Sequence, residues 1–202
     1  MNEQFGIGQP VSRFEDPRLL RGEGRFIHDL ELPGQSHLVF VRSPHAHARI
    51  VSVDAAAARA APGVLGVFTV ADLERDGVGT TAPSIKRSRP DGTPMFWRAH
   101  PGLAKGKVRH VGDPVAAVVA ETVAQAKDAA ELVSVDYEDL PVTEPVWDEC
   151  PDNVSNVFEI GNKAAADAAF AGAKHVVRRR YVVSRVHAQF MEPRGALGAW
   201  DA

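Results

Sequence analysis

Apolar residues are concentrated in two short stretches within the first third of the chain. SHLVFVR, from Ser36 to Arg42, and ARIVSV, from Ala48 to Val53, carry apolar residues at the density of β-strands, with SPHAH between them. We expect a hairpin or two neighbouring strands here. Asp54 can then cap a short Ala-rich helix that PG at 62–63 stops, and VLGVFTV returns to strand. The predicted local order is strand, helix, strand.

A second unit of the same order follows further along the chain. PVAAVVAE is a continuous apolar run typical of a strand covered on both faces. In ETVAQAKDAAELV, Thr122 and Gln125 have the spacing of a capping box. The helical repeat places four apolar residues on one predicted face: Val123, Ala126, Ala130 and Val133. LVSVDYEDL then changes to a repeat of two, which predicts a strand that Pro141 ends.

Three other segments lack such a repeat. The first thirty residues have Gly and Pro at short intervals, which favours an extended arm over a helix. Residues 74–107 predict a long insertion, whose apolar island of Met95, Phe96 and Trp97 we expect to dock onto the body or onto a partner. Residues 141–161 are rich in Pro and acidic residues, so we predict a linker and a domain boundary there.

The C-terminal part predicts a helix followed by strands. Asn162 can cap a helix in KAAADAAFAGA that Gly172 closes. The residues after it predict a long strand, a turn and another strand. The small and apolar residues from Gly195 to Trp200 are typical of the start of a buried strand, so we expect the chain to have a continuation elsewhere.

Composition narrows the possible classes of protein. With 202 residues, 45% hydrophobic and 24% charged, the chain can bury a substantial core in one large or two small domains. A net charge of −3 excludes a global field that recruits nucleic acid or an anionic membrane, and the basic cluster Arg178, Arg179, Arg180 is too short to change this. No signal peptide and no apolar run of about 18 residues is present, so we expect a cytoplasmic protein without a membrane span.

The candidate chemistry is sparse. His45 and His47 could present two imidazoles to a metal, but no nearby carboxylate or thiolate completes such a site, and hydrogen bonds to backbone carbonyls are the favoured interpretation. Cys150 is the single cysteine, which excludes an intrachain disulfide. Its acidic neighbours raise a thiol's pKa, so we expect it to be inert.

The tightest polar cluster lies near the C-terminus and consists of His187, Gln189, Glu192 and Arg194. In an extended segment, the first two would share one face and the last two the other, so one acid–base pair could form on each side. The favoured alternative is a buried Glu192–Arg194 pair that fixes a turn at a domain junction. The residues alone therefore predict an α+β protein without a convincing active site.

Six stretches carry a resemblance to a known family. They are IGQPVSRFEDPRLLRGEGRFIHDL, RSPHAHARI, APGVLGVFTVADL, VRHVGDPVAAVVAET, AKDAAELVSVDYEDLPV and HAQFMEPRGALGAWD. In order and spacing they resemble the molybdopterin-binding large subunit of the xanthine dehydrogenase, aldehyde oxidase and carbon monoxide dehydrogenase family. Residues 74–100 are the least alike, and His28 departs from an aspartate that relatives often have.

The resemblance implies a fold and a domain order. These are an N-terminal arm at 1–20, an a/b hammerhead domain at 21–140, a linker at 141–161 and an incomplete start of the molybdopterin-binding domain at 162–202. The family's cofactor-contacting and catalytic residues come further along the large subunit. The expected catalytic, cofactor-binding and metal-binding residues of this chain are therefore none.

Two functions follow as alternatives. In the first, the chain is the N-terminal subunit or fragment of a molybdenum hydroxylase that acts on an aldehyde or an N-heteroaromatic compound and is inactive alone. The molybdenum–molybdopterin cofactor is then held mainly by a partner chain with the remaining molybdopterin domain, and 2Fe-2S and FAD lie in other subunits. In the second, it is a stand-alone or truncated hammerhead module that acts as a scaffold. An unpaired apolar final strand counts against the second alternative.

Overall fold

The computed structural model describes residue 8 and residues 11–142, 156–184, 186–190, 192 and 194–200. The chain divides into two compact units, one formed by 1–34 with 177–202 and the other by 35–176. The described strands and helices, all but α1 within 35–176, are α1 (Asp16–Leu20), β1 (His37–Arg42), β2 (Ala48–Asp54), α2 (Ala56–Arg59), β3 (Val64–Thr69), α3 (Val70–Arg75), β4 (Lys107–Val108), β5 (Pro114–Ala120), α4 (Val123–Glu131), β6 (Ser134–Asp139) and α5 (Lys163–Gly172). The predicted α+β class is confirmed.

The N-terminal arm contains a short helix, so the prediction of an arm without helix is wrong at α1. Pro17 lies in the first turn of α1, where its missing N–H leaves no helical hydrogen bond unmade. The backbone N–H groups of Arg18 and Leu19 donate to the carbonyl of Glu15 at 3.1 and 3.0 Å. A Pro that favours a turn in one context therefore starts a helix in this one.

Two small antiparallel sheets form the body of the larger unit. Sheet A has the order β1-β5-β3, and sheet B has the order β4-β2-β6. The predicted strands β1 and β2 are confirmed, but they do not pair with each other, so the expectation of a hairpin or neighbouring strands is wrong. β1 pairs with the apolar strand β5, and β2 pairs with β6. Each strand gains a ladder of five or more residue pairs from a partner distant in sequence.

The two strand–helix–strand units are confirmed, and each of them connects the two sheets. β2 lies in sheet B and β3 in sheet A, while β5 lies in sheet A and β6 in sheet B. The carboxylate of Asp54 accepts a hydrogen bond from the N–H of Ala56 at 2.9 Å, but the N-cap residue of α2 is Ala55, so Asp54 lies one position before the cap predicted for it. The Oγ1 atom of Thr122 accepts from the N–H of Gln125 at 3.2 Å, which confirms the predicted start of α4.

The main core lies where α2 and α4 pack on sheet A. Its fully or nearly buried members are Ala55, Ala58, Val67, Ala116, Val118, Ala129 and Val133. The predicted apolar face of α4 is partly wrong, because Val123 is 44% exposed and Ala129 is buried instead. A second cluster contains Ala48, Ala104, Val108 and Val115. β5 contributes to both clusters and is therefore covered on both faces, as predicted.

The segment after residue 161 begins as predicted and then departs from the prediction. The Oδ1 atom of Asn162 accepts from the N–H of Ala165 at 2.9 Å and caps α5, which ends at Gly172. The side chains of α5 are exposed throughout. Among the described residues of 173–200 no β-ladder forms, so the predicted strands are not present here. A strand needs a partner for its backbone N–H and C=O groups, and this segment has none among the described residues.

Candidate functional site

A cluster of hydrogen-bonded residues, which we call the polar joint, connects the segment after β1 to the turn before β5. Its members are Ser43, His45, His47, Arg109, Gly112, Asp113, Tyr137 and Asp139. Ser43 is buried, its N–H donates to the carbonyl of Asp113 at 2.9 Å, and its carbonyl accepts from the N–H of Gly112 at 2.8 Å. Gly112 has φ +90°, a backbone conformation that favours glycine. Two of the stretches quoted above, RSPHAHARI and VRHVGDPVAAVVAET, therefore meet side by side.

The joint includes both histidines considered as metal ligands. The Nδ1 atom of His47 lies 2.7 Å from the carbonyl oxygen of Pro141, which confirms the favoured interpretation for this residue. The Nδ1 atom of His45 instead lies 2.7 Å from the Oδ1 atom of Asp139, and its ring lies 4.5 Å from that of Tyr137. β6 thus brings a carboxylate, that of Asp139, next to His45, a contact that the local sequence did not predict.

Tyr137 is the titratable group of the joint with a perturbed pKa. Its partial burial raises the pKa of the phenol, the negative charge of Asp113 raises it further, and a hydrogen bond with Ser43 acts in the opposite direction. The phenol is therefore protonated at neutral pH. Asp113 also accepts a hydrogen bond from the N–H of Arg109 at 3.0 Å through its Oδ2 atom. These contacts make the joint a structural connection between the sheets.

The joint does not have the composition of a metal or cofactor site. Within the described parts of the chain, no group of three or more His, Cys, Asp or Glu side chains could hold a metal ion. The polar atoms of Ser43, His45 and Asp113 already bond to protein groups. The residues present therefore do not fit a molybdenum cofactor, and we derive no catalytic step from them.

The C-terminal polar cluster does not form the predicted pair. Glu192 and Arg194 are both exposed, so a buried Glu192–Arg194 pair is wrong. The Oε1 atom of Glu192 accepts a hydrogen bond from the N–H of Ile27 at 3.3 Å, within the unit formed by 1–34 and 177–202. His187 and Gln189 are exposed as well. Cys150 lies outside the described residues.

The C-terminal segment, defined as residues 176–200, exposes a long series of apolar side chains. Tyr181, Val182 and Val183 are 84–88% exposed and Trp200 is 92% exposed. The other exposed members are Val176, Val177, Val186, Phe190 and Leu197. So many exposed apolar side chains within one segment are typical of an interaction surface, although Arg178, Arg179 and Arg180 interrupt them.

Sheet A exposes a second apolar surface, which the sequence analysis did not identify. Phe40 of β1 and Phe68 of β3 both lie opposite Ala117 of β5, so they share one face of the sheet with it. Both rings are partly exposed, and the guanidinium of Arg42 lies 5.3 Å from the ring centre of Phe40. The uninterrupted apolar run LVFV of β1 gave no sequence signal for this face, because only the structure shows that exposure alternates along the strand.

The apolar island of the long insertion is divided in the structure. Met95 is half-buried, its N–H donates to the carbonyl of Arg87 at 2.9 Å, and its sulfur accepts from the N–H of Arg87 at 3.3 Å. Phe96 and Trp97 are exposed. Docking of the whole island onto the body is therefore wrong, while docking onto a partner stays a prediction.

The chain matches a family of known proteins. The model of the aldehyde oxidase and xanthine dehydrogenase a/b hammerhead domain matches residues 21–141. Subunit gamma of the 6-hydroxypseudooxynicotine dehydrogenase complex of Paenarthrobacter nicotinovorans is 42% identical over 97% of this chain and 25% of the relative. The carbon monoxide dehydrogenase large chain of Afipia carboxidovorans is 35% identical over 97% of this chain and 26% of the relative. The chain thus spans about a quarter of the length of these relatives.

Solved structures show the same fold. The reconstituted carbon monoxide dehydrogenase of Oligotropha carboxidovorans superimposes with a TM-score of 0.63 at 36% identity, over 84% of this chain and 23% of that chain. The quinoline 2-oxidoreductase of Pseudomonas putida 86 superimposes with a TM-score of 0.56 at 45% identity, over 65% of this chain and 16% of that chain.

No helix among the described residues is long and apolar enough to cross a membrane.

Proposed function

Because the chain belongs to the aldehyde oxidase and xanthine dehydrogenase family of molybdenum hydroxylases, we propose that it is the N-terminal part of a large subunit whose catalytic residues lie on another chain. The observation that carries this proposal is the exposed apolar C-terminal segment, residues 176–200. Burying a side chain such as Val183 contributes about 1.5–3 kcal/mol, so the segment has a strong driving force to associate. A strand-like segment of this kind is completed by neighbouring strands.

The partner in this proposal carries the remaining molybdopterin domain. That chain would supply the missing β-partners of residues 176–200 and hold the molybdenum–molybdopterin cofactor. When bound, that cofactor supplies hydroxylation of an electrophilic carbon. The proposed domain boundaries of this chain stay at 1–20, 21–140, 141–161 and 162–202. Its role is to brace the cofactor domain and to help shape the substrate channel.

The proposed assembly is a cytoplasmic complex that also contains 2Fe-2S and FAD subunits. Two relatives are named as a subunit of a dehydrogenase complex and as the large subunit of nicotine 6-hydroxylase, which supports a multi-chain arrangement. The names of the nicotine and quinoline enzymes support an N-heteroaromatic substrate, with an aldehyde as the other class considered.

The test is purification of the tagged chain from its native host under mild conditions. Subunit masses, molybdenum, iron and flavin are then measured in the material that co-purifies. We expect a larger subunit with molybdenum, together with iron- and flavin-containing chains. A chain that purifies as a metal-free monomer with a sharp two-state melt would contradict the proposal and favour the scaffold alternative.

A variant pair makes the test specific for the C-terminal segment. Val183→Asp places a charge within the exposed segment, and Val51→Asp places the same charge on an exposed apolar residue of β2, outside the segment. We expect the first variant to lose the larger subunit and the second to retain it. Equal retention by both would show that the segment does not bind the partner.

A further inference from the structure

A cavity of about 310 Å³ lies beside α3, within the unit formed by 35–176. The side chains of α3 form one wall, and the segments 78–80 and 98–109 form the others. Its apolar lining comes from Val70, Leu73, Val78, Ala99 and Pro101. The volume is at the lower end of the range found for small-molecule sites, so only a small ligand would be enclosed.

The polar lining of this cavity is cationic. Its polar side chains are Arg98, Lys105 and Arg109, the carboxylate of Glu74 and the hydroxyl of Thr80. The Nζ atom of Lys105 forms an ion pair with Glu74, which neutralises both groups. No salt bridge to the guanidinium of Arg98 or Arg109 is present among the described residues, although the charge of Asp113 favours the charged form of Arg109. Two guanidinium charges therefore lie at the cavity with only partial compensation from Asp113.

One buried hydrogen-bond donor of Arg109 has no acceptor. Its Nη1 atom donates to the carbonyl of Lys107 at 3.0 Å, but its Nε atom is buried and has no hydrogen-bond partner. Burial lowers the pKa of this guanidinium, the positive charge of Arg98 lowers it further, and Asp113 acts in the opposite direction. An anion placed at this end of the cavity would remove the repulsion between the two arginines.

We propose that this cavity binds a small organic carboxylate with an apolar body, with the carboxylate held by Arg98 and Arg109. Guanidinium groups match the geometry of a carboxylate through paired hydrogen bonds. The apolar wall formed by residues such as Leu73 and Val78 covers a ring or an alkyl chain. Phosphate would pair with the arginines but has no apolar part to contact this apolar wall.

The test is isothermal titration of the full chain, or of the complex with which it purifies, using benzoate, benzamide and inorganic phosphate as probes. We expect benzoate to bind about tenfold more tightly than benzamide, the difference typical of one charge-assisted hydrogen bond. Phosphate should bind more weakly than benzoate. Equal binding of benzoate and benzamide, binding of phosphate as tight as that of benzoate, or no binding of benzoate would each overturn the proposal.

Arg98→Gln is the matched variant, since Arg98 is exposed and its replacement leaves the core intact. We expect it to weaken benzoate binding about tenfold with little effect on benzamide. The control is Lys86→Gln, which removes a cation of the same insertion that does not line the cavity, and its binding should be unchanged. An equal effect of both variants would indicate a general charge effect and overturn the site. The outcome is independent of molybdenum and of any partner chain.

Discussion

The Nδ1 atom of His45 lies 2.7 Å from the Oδ1 atom of Asp139, although 94 residues separate them along the chain. His45 precedes β2 and Asp139 ends β6, so the contact exists because these strands pair in sheet B. It lies at the edge of the polar joint, next to the buried hydroxyl of Ser43. The polar joint therefore contains both an exposed contact, His45–Asp139, and a buried residue, Ser43.

The exposed and buried members of the joint should differ in their effect on stability. We expect Asp139→Asn to lower the free energy of unfolding by less than about 1 kcal/mol, because its contact with His45 is an exposed polar one and such contacts contribute little. Ser43→Ala should lower it by about 1–3 kcal/mol, since it leaves the N–H of His45 without its acceptor. Urea unfolding of both variants checks the order, and a larger effect of Asp139→Asn would contradict the assignment.

Asp72 should make the stability of α3 depend on pH. Its pKa is lowered chiefly by the backbone N–H of Thr69, which donates at 2.8 Å, and also by the Thr69 hydroxyl and Arg75. A lowered pKa in the folded state means that the ionised carboxylate stabilises the fold above the unfolded pKa of about 4. This contribution is lost as the pH falls through the folded pKa.

The matching variant is Asp72→Asn. We expect it to cost about 1 kcal/mol at pH about 7, the value of a helix cap, and progressively less as the solution is acidified. Urea unfolding at several pH values measures both effects. A difference between the two proteins that grows on acidification would show that the sign is wrong.

The same Val→Ala substitution at a buried and at a partly exposed position tests which residues of β5 and α4 belong to the core. Val118 of β5 is fully buried, so Val118→Ala should lower the free energy of unfolding by about 2 kcal/mol through lost burial and a cavity. Val123 at the start of α4 is partly exposed, so Val123→Ala should change it by less than about 0.5 kcal/mol. Thermal or urea unfolding compares the same substitution at both sites. Equal costs would contradict the observed core.

The partly exposed rings of sheet A should affect both folding and the binding of a partner. Phe40→Ser should lower the free energy of unfolding by about 1–2 kcal/mol, because Phe40 is 40% exposed and the rest of it is buried against the sheet. If this face is covered in an assembly, the same variant should weaken co-purification. Hydrogen exchange of β1 in the free and assembled chain checks coverage directly.

Local signals in the sequence predicted many of the elements. Thr122 and Asn162 cap helices where their side chains were expected to do so, because a cap depends on residues only three positions apart. The apolar run of β5 predicted a strand with both faces covered, because its composition leaves no face for water. α3 was missed, because its acidic and basic residues resembled the start of the insertion.

The sequence by itself determined the α+β class and the positions of most strands and helices, since these depend on local patterns of polarity, caps and turn residues, while the family came from the resemblance of six stretches to known proteins. Only the tertiary structure decided that β1 and β2 belong to different sheets, that Asp139 lies against His45, and that Arg98 and Arg109 line one cavity. The physical reason is that strand pairing and charge placement depend on which distant surfaces bury each other. The C-terminal segment shows the same dependence, because its apolar residues predicted strands but its described residues form no β-ladder.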